Sequence, residues 1–215
     1  MPFAARVTDV TIHGIPLNPG PGCPTVRIGF LPAWRALPSA VAGAMEQISN
    51  TVSPFMKKLQ MTPADATPSL AQIAGVLLGG AAVAAGNGAP GAVGAAAGGV
   101  SAMIVTNVAL TATWMTASVV PGGQPAANIA YTQGIQAAVA GAASATVSAM
   151  APLSDMHVCP LPCPIPPHGP GFVTKGSGSV NIGGLPAARL GDKVFEACGG
   201  TDPIAIGCPT VNIGG

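Results

Sequence analysis

A short unit that occurs three times constrains the fold of this chain more than any other feature of its sequence. The string GCPTVRIGFLPAWR, residues 22–35, matches GSGSVNIGGLPAAR, residues 176–189, and GCPTVNIGG, residues 207–215, is a shorter third copy. Each copy contains a short alternating stretch closed by a glycine turn, which predicts a β-strand with Val26 and Ile28, or their counterparts, on one face. Strands this short cannot each bury a face alone, so the repeats predict a compact β unit with pseudo-threefold symmetry.

The spacing of the copies indicates where a long segment interrupts the repeat. In the second copy, PAARLGD runs without a break as far as Asp192. In the first copy, Arg35 is followed by a long apolar stretch, and the corresponding aspartate is Asp155. The ends of that stretch must lie close together if the repeats pair. The sequence therefore predicts one β domain made of residues 1–35 and 155–215, with residues 36–154 inserted into one of its loops.

Composition separates the same two parts of the chain. The sequence is 49% hydrophobic and only 7% charged, whereas about a quarter of the residues are charged in an ordinary soluble domain. No charged residue lies between Asp65 and Asp155, and every histidine and cysteine lies outside that stretch. The net charge of +1 and the lack of a Lys/Arg run give no basis for nucleic-acid binding. The N-terminus has no basic segment followed by an apolar run, so we expect no cleaved secretory signal peptide.

Histidine and cysteine recur in the glycine- and proline-rich turns, and a threefold arrangement would bring them to one axis. The predicted ligands are His13, His157, His168 and Cys198. Imidazole and thiolate suit a closed tetrahedral zinc site, and a metal would stabilise a domain whose backbone loses much entropy on folding. Cys159 stands four residues after its repeat's aspartate, as His13 does, and is an alternative to His157. Histidines that only bond loop backbone, and disulfides, remain alternatives to the zinc site.

The other cysteines have a weaker claim to metal binding. Cys23 and Cys208 occupy the position that Ser177 holds in the middle copy, which indicates small buried residues rather than ligands. Cys163 stands between prolines and receives no role.

The motif PAAR at residues 186–189, the three copies, their strands and the placement of His and Cys together resemble the PAAR-repeat proteins. The resemblance covers residues 1–35 and 155–215, with FAAR and PAWR as departures from the motif. It implies a mainly β fold for that part: a small three-repeat cone that holds zinc near its tip. It also implies a seat on the trimeric β-helical spike of a contractile injection system such as type VI secretion, without enzymatic activity in the cone. Such a protein assembles in the bacterial cytoplasm and is injected into target cells without a signal peptide.

The inserted segment is predicted to be helical because alanine dominates it. Residues 40–59 predict an amphipathic helix broken near Pro54, and breakers rich in Gly and Pro separate three further apolar segments. These segments are residues 70–86, 91–120 and 127–153. The second is long enough to cross a bilayer, whereas the first and third are marginal in length or polarity. A membrane-inserting helical segment and a soluble helical bundle, shielded by an effector chaperone before loading, are both open at this point.

These predictions of fold and metal binding are consistent with three functions. The first is a spike tip that carries the helical segment or an effector into target cells. The second is a pore-forming effector whose inserted helices permeabilise the target membrane. The third, a zinc enzyme, is the weakest, because a hydrolytic zinc site needs an open coordination position and a nearby general base, and the acidic residues Asp155, Asp192 and Glu196 belong to repeat turns.

Overall fold

The computed structural model describes residues 1–162 and 167–214. Short strands form the two ends of the chain, and four helices lie between them. The strands are β1 (Phe3–Ala4), β2 (Cys23–Ile28), β3 (Leu31–Ala33), β4 (Met156–Pro162), β5 (Pro167–Val173), β6 (Asn181–Ile182), β7 (Leu185–Pro186), β8 (Lys193–Glu196), β9 (Gly200–Pro203) and β10 (Cys208–Asn212). The helices are α1 (Ser39–Met56), α2 (Pro63–Gly86), α3 (Gly91–Ser118) and α4 (Gln124–Ser148). More residues are helical than extended, so the fold is mixed rather than mainly β, although β structure does form the repeats.

A ring of three backbone hydrogen bonds joins the repeats. The N–H of Ala5 donates to the carbonyl of Ala188 at 2.9 Å, Ala188 donates to Trp34 at 3.0 Å, and Trp34 donates to Ala5 at 2.9 Å. These residues are the third letters of the motifs FAAR, PAWR and PAAR. Each copy donates to one neighbour and accepts from the other, so the three copies surround a common axis.

Apolar side chains pack in one layer on each side of this ring. The first layer contains one isoleucine from each repeat, as the alternation predicts. Its buried members are Ala4, Cys23, Ile28, Ala33, Ile182, Ala187, Cys208 and Ile213, of which Ile213 directly follows β10. The second layer contains Ala5, Leu17, Trp34, Ala36, Val173, Ala188, Val194 and Ile204. Strands β5 and β8 contribute to the second layer, so the four-stranded sheet β4-β5-β8-β9 lies on that side of the ring.

An arginine–aspartate fork closes each repeat in the same way. In each fork the arginine backbone N–H and Nε donate to one carboxylate oxygen, and Nη2 donates to the other. The pairs are Arg6 with Asp9, Arg35 with Asp155 and Arg189 with Asp192. The Nη2–Oδ1 distance in the Arg35–Asp155 fork is 2.7 Å, the same as in the Arg6–Asp9 fork. The helical segment therefore leaves and rejoins the β domain at one fork.

The helices differ from the sequence prediction in length. Helix α1 is continuous and ends two residues after Pro54. Helix α2 begins seven residues before the predicted start at Leu70, because Thr62 and Asp65 form a capping box: the Asp65 N–H donates to Thr62 Oγ1 and the Thr62 N–H donates to the Asp65 carboxylate. Three helical stretches, Pro63–Gly86, Gly91–Ser118 and Gln124–Leu153, are long and apolar enough to cross a membrane. The prediction that the first and third are marginal was wrong for that reason.

The helical segment packs on the β domain through a shared apolar core. Phe172 of β5 and Phe195 of β8 belong to the same buried cluster as Met45 and Ile48 of α1. Two polar contacts accompany this packing: Ser49 Oγ donates to the Gly200 carbonyl at 3.2 Å, and Thr174 Oγ1 donates to Glu46 Oε1 at 2.7 Å. Helices α1 and α4 contact the sheet, while α2 and α3 lie farther from it.

Candidate metal centre

The four-stranded sheet and one neighbouring turn bring six potential metal ligands together. Strand β4 carries His157 and Cys159, β5 carries His168, β8 ends at Glu196 and β9 carries Asp202. His13 lies in a turn that is tied to β9, because its backbone N–H donates to Asp202 Oδ1 at 3.1 Å. Since β5 and β8 also supply the second apolar layer, these ligands lie at the end of the β domain opposite the first layer.

Four of the six ligands form a first group, namely His13, Cys159, His168 and Glu196, whose donor atoms lie within 4.8 Å of one another. Cys159 Sγ is 3.6 Å from His13 Nδ1 and 3.7 Å from His168 Nδ1. Ordinary Zn–S and Zn–N bond lengths with a tetrahedral angle give an N···S separation of about 3.6 Å. Both sulfur–nitrogen separations therefore match those of ligands bound to one zinc ion.

A second group shares two members with the first and contains His157, Cys159, Glu196 and Asp202. His157 Nδ1 lies 3.1 Å from the Pro16 carbonyl, the arrangement in which a metal-binding imidazole uses its other nitrogen as the ligand. The first group places Glu196 in the fourth ligand position, with its carboxylate 2.7 Å from His168 Nδ1. Glu196 and Cys159 are thus shared by both groups, whereas His157 is grouped with them but not with His13 or His168.

Several potential ligand atoms are buried in this cluster. His157 Nε2 has no hydrogen-bond partner among the described residues, and the carboxylates of Glu196 and Asp202 lie beside imidazoles, with Glu196 Oε2 2.7 Å from His168 Nδ1 and Asp202 Oδ2 3.1 Å from His13 Nδ1. The side chains of all three residues are fully buried. Buried polar atoms without partners are costly, and carboxylates are costlier still. A divalent cation bound in this cluster would offset the cost of burying these carboxylates, so the residues present fit a metal ion.

The electrostatics of the cluster agree with this fit. Burial raises the pKa of Cys159 to about 12 and that of Glu196 to about 8, so both groups favour their protonated forms unless a cation lies beside them. Burial lowers the pKa of His157 and His168, which favours the neutral imidazole that binds metals. Cys159 is a free thiol, so the disulfide alternative does not apply to it.

Glycine is required next to the cluster. A Cβ atom at Gly199 would overlap Glu196 Oε2 and the His168 ring at Cγ. The glycine after Cys198 in the sequence ACGG therefore lets the backbone pass directly beside two of the ligands.

The predicted ligands are placed as follows. His13 and His168 belong to the first group, and His157 belongs to the second, with Cys159 in both. Cys198 belongs to neither group in the described part of the chain; it is buried in the core that the helices share with the sheet, and its backbone N–H donates to the His168 carbonyl. Cys163 lies outside the described residues. The exact ligand set remains a prediction.

The sequence analysis missed Glu196 and Asp202 as possible ligands. Glu196 was considered only as a possible catalytic acid, and Asp202 not at all. Both residues flank the CGG turn, which could have indicated them as ligands, but carboxylates near turns are common. The pairing of β5 with β8 brings Glu196 to the histidines, and the pairing of β8 with β9 adds Asp202 on the next strand.

Comparison with known proteins gives one match. No curated protein and no solved structure matches the chain. The family model of the PAAR motif matches residues 165–215, which contain the second and third repeats. The predicted resemblance is therefore confirmed: this chain carries a PAAR motif, as the PAAR-repeat proteins do.

Proposed function

We propose that this protein is a zinc-stabilised tip for the spike of a contractile injection system, and that it carries its helical segment into target cells. The PAAR motif is the observation that carries the proposal, because that motif indicates a spike-tip protein of a contractile or type VI injection system. The proposed role is structural and needs no enzymatic activity. The protein would assemble in the bacterial cytoplasm and leave with the spike.

The shape of the β domain supports a trimeric spike as the partner. Three copies around one axis present three similar strands, and a trimeric spike presents three equivalent chains around its own axis. The outward residues of these strands are exposed and polar: Thr25, Arg27, Ser179, Asn181, Thr210 and Asn212. Strand edges of this kind are stabilised by pairing with, or packing on, another β structure.

Phe30 is the best candidate for an anchor on that surface. Its side chain is 91% exposed, and its backbone has a φ of 68°, a conformation that non-glycine residues adopt at a cost. Gly184 occupies the corresponding position in the second repeat, also with positive φ. An exposed aromatic side chain kept at a position suited to glycine supports a binding role.

Zinc would be held by the first group, His13, Cys159, His168 and Glu196. When bound, the metal supplies a cross-link between the N-terminal turn and strands β4, β5 and β8, which come from distant parts of the sequence. Such a link stabilises a domain with short strands and many turns. The buried ligand atoms of the cluster support it.

The helical segment supports a membrane-active role. Three of its helices are long and apolar enough to cross a bilayer, and no charged residue interrupts the chain from residue 66 to residue 154. Before injection, an effector chaperone would cover these helices. Pore formation in the target membrane is the second candidate function, and the same helices favour it.

The test is metal analysis of the purified chain together with co-purification against the trimeric spike protein encoded with it. We expect about one zinc per chain, as a closed structural site holds, and a stable complex with the spike. Absence of both zinc and spike binding would contradict the proposal. Depolarisation of cells that express the chain in the periplasm would favour the pore.

A further inference from the structure

The β domain limits how the helices can cross a membrane. Residues before α1 and residues after α4 are joined by the Arg35–Asp155 fork and by the backbone ring through Trp34. Both ends of the helical segment must therefore stay on the same side of a bilayer while the β domain remains folded. The chain can then cross an even number of times, although three helices of the described residues are long and apolar enough to do so.

Helices α3 and α4 pack on each other more extensively than any other two helices, and α2 contacts both α1 and α3. Gly80 of α2 lies against Ile48 of α1, where an added Cβ would come within 2.8 Å of the Ile48 Cδ1 atom. Between α3 and α4, Gly99 lies equally close to Ala142, and Gly134 to Leu110. Such close approach holds each pair of helices together.

Hydrogen bonds reinforce the pair formed by α3 and α4. Trp114 Nε1 donates to Asn128 Oδ1 at 2.7 Å, and the Tyr131 hydroxyl donates to Asn107 Oδ1 at 2.5 Å. Both bonds join α3 to α4 and involve no residue of α1 or α2. In an apolar medium such bonds become more favourable, since no water competes for them.

The end of the α3–α4 pair is exposed and apolar. The side chains of Ile104, Val105, Val108, Met115, Val119, Val120 and Ile129 are between 40% and 80% exposed. Helix α3 has the highest mean hydropathy of the three long helices, 1.7, and only 17% of its most apolar stretch is buried. The turn between the two helices carries no charge, so moving it through a bilayer requires no transfer of an ion.

We propose that α3 and α4 enter the target bilayer together as a hairpin, with the turn at residues 119–123 leading, while α1 and α2 stay with the β domain. This inference rests on the proposed membrane-active role. It assigns the lipid bilayer, rather than a protein, as the final partner of the exposed α3–α4 surface. Helix α1 stays behind because Glu46 bonds to the sheet and because Lys57 and Lys58 follow it. Helix α4 exchanges its contact with β5 for contact with lipid.

The two tryptophans provide the test. Trp34 is fully buried in the β domain, and Trp114 lies on α3. The full chain is mixed with vesicles of phosphatidylethanolamine and phosphatidylglycerol whose acyl chains carry bromine, which quenches nearby indoles. We expect the brominated lipid to quench the fluorescence of Trp114 but not that of Trp34. The Trp114→Phe variant, which contains only Trp34, measures the contribution of Trp34 to the total emission.

A second probe separates the α3–α4 hairpin from the alternative α2–α3 hairpin. Leu78 lies on α2 and is 41% exposed, so Leu78→Trp in the Trp114→Phe background places an indole on that helix. We expect this indole to remain unquenched. Quenching of the Leu78→Trp indole to the extent seen for Trp114 would overturn the inference and leave the membrane-active role intact. Failure of the chain to float with the vesicles would contradict the membrane-active role itself.

Discussion

The β domain and the helical segment are held together by different forces. In the β domain, a backbone ring, three arginine–aspartate forks and the candidate metal centre link residues far apart in sequence. In the helical segment, apolar packing and a few neutral hydrogen bonds join the helices, and no charged residue lies between Asp65 and Asp155. The first kind of linkage keeps one shape under load, whereas the second loses little when lipid replaces protein as the neighbour. A spike tip that delivers a membrane-active segment needs both.

Removal of the metal should have the largest effect, because it destabilises the β domain and not the helices. A structural zinc contributes on the order of 10 kcal/mol to folding, so chelation of the metal should unfold the β domain at moderate temperature while the helices keep much of their circular dichroism. Replacing Cys159 by Ser should reproduce the effect in thermal denaturation. The matched control, Cys23→Ser, changes a buried thiol that contacts Thr25 far from the cluster and should not abolish zinc binding. Equal zinc loss in both variants would contradict the account.

The fork that joins the two regions should be the next most sensitive point. Asp155 is fully buried, and Asp155→Ala leaves Arg35 without its carboxylate partner. Breaking a buried ion pair lowers the free energy of unfolding by about 3 kcal/mol. Asp192→Ala is the matched control, because Arg189 is only three residues away in the sequence. Arg35 and Arg189 also donate to the Gly22 and Gly176 carbonyls respectively, and Arg189 has a further contact to the Gly214 carbonyl. Urea unfolding should show the larger loss of unfolding free energy for Asp155→Ala. The opposite order would show that this fork does not secure the insertion.

Phe30→Gly should have opposite effects on stability and on spike binding. Relief of the positive φ should leave the β domain as stable or more stable, by up to about 1 kcal/mol, while loss of the exposed ring weakens binding to the spike. Thermal denaturation and a titration against the spike protein measure the two effects. Asn181→Ala, at an exposed position on β6, is a control for a general change in that surface. Unchanged affinity for Phe30→Gly would remove Phe30 as an anchor.

The smallest effect concerns the contact that keeps α4 against α1. Gln136 Nε2 donates to the carbonyls of Met56 and Lys58 at 3.0 and 2.8 Å. Gln136→Leu should cost about 1 kcal/mol of stability in solution and should increase quenching of Trp114 by brominated vesicles, because α4 separates more easily. Gln133→Leu adds the same side chain at an exposed position and should change neither. Reduced quenching for Gln136→Leu would argue against separation of the two helix pairs.

The repeats were predictable from the sequence because their period, their alternation and their aspartates recur visibly. The arrangement of Ile28, Ile182 and Ile213 in one layer follows from that alternation alone. The start of α2 was not predicted, since the capping box of Thr62 and Asp65 precedes the apolar run and was not used. The carboxylates of the cluster were missed for a different reason: Glu196 and Asp202 approach the histidines only through strand pairing, which has no local signature.

The most direct test of the central claim is native mass spectrometry of this protein bound to the trimeric spike. A metal-stabilised tip with three repeats around one axis predicts a complex of one chain, one spike trimer and one zinc ion. A complex with several copies of the chain per trimer, or a stable complex that contains no metal, would contradict the account.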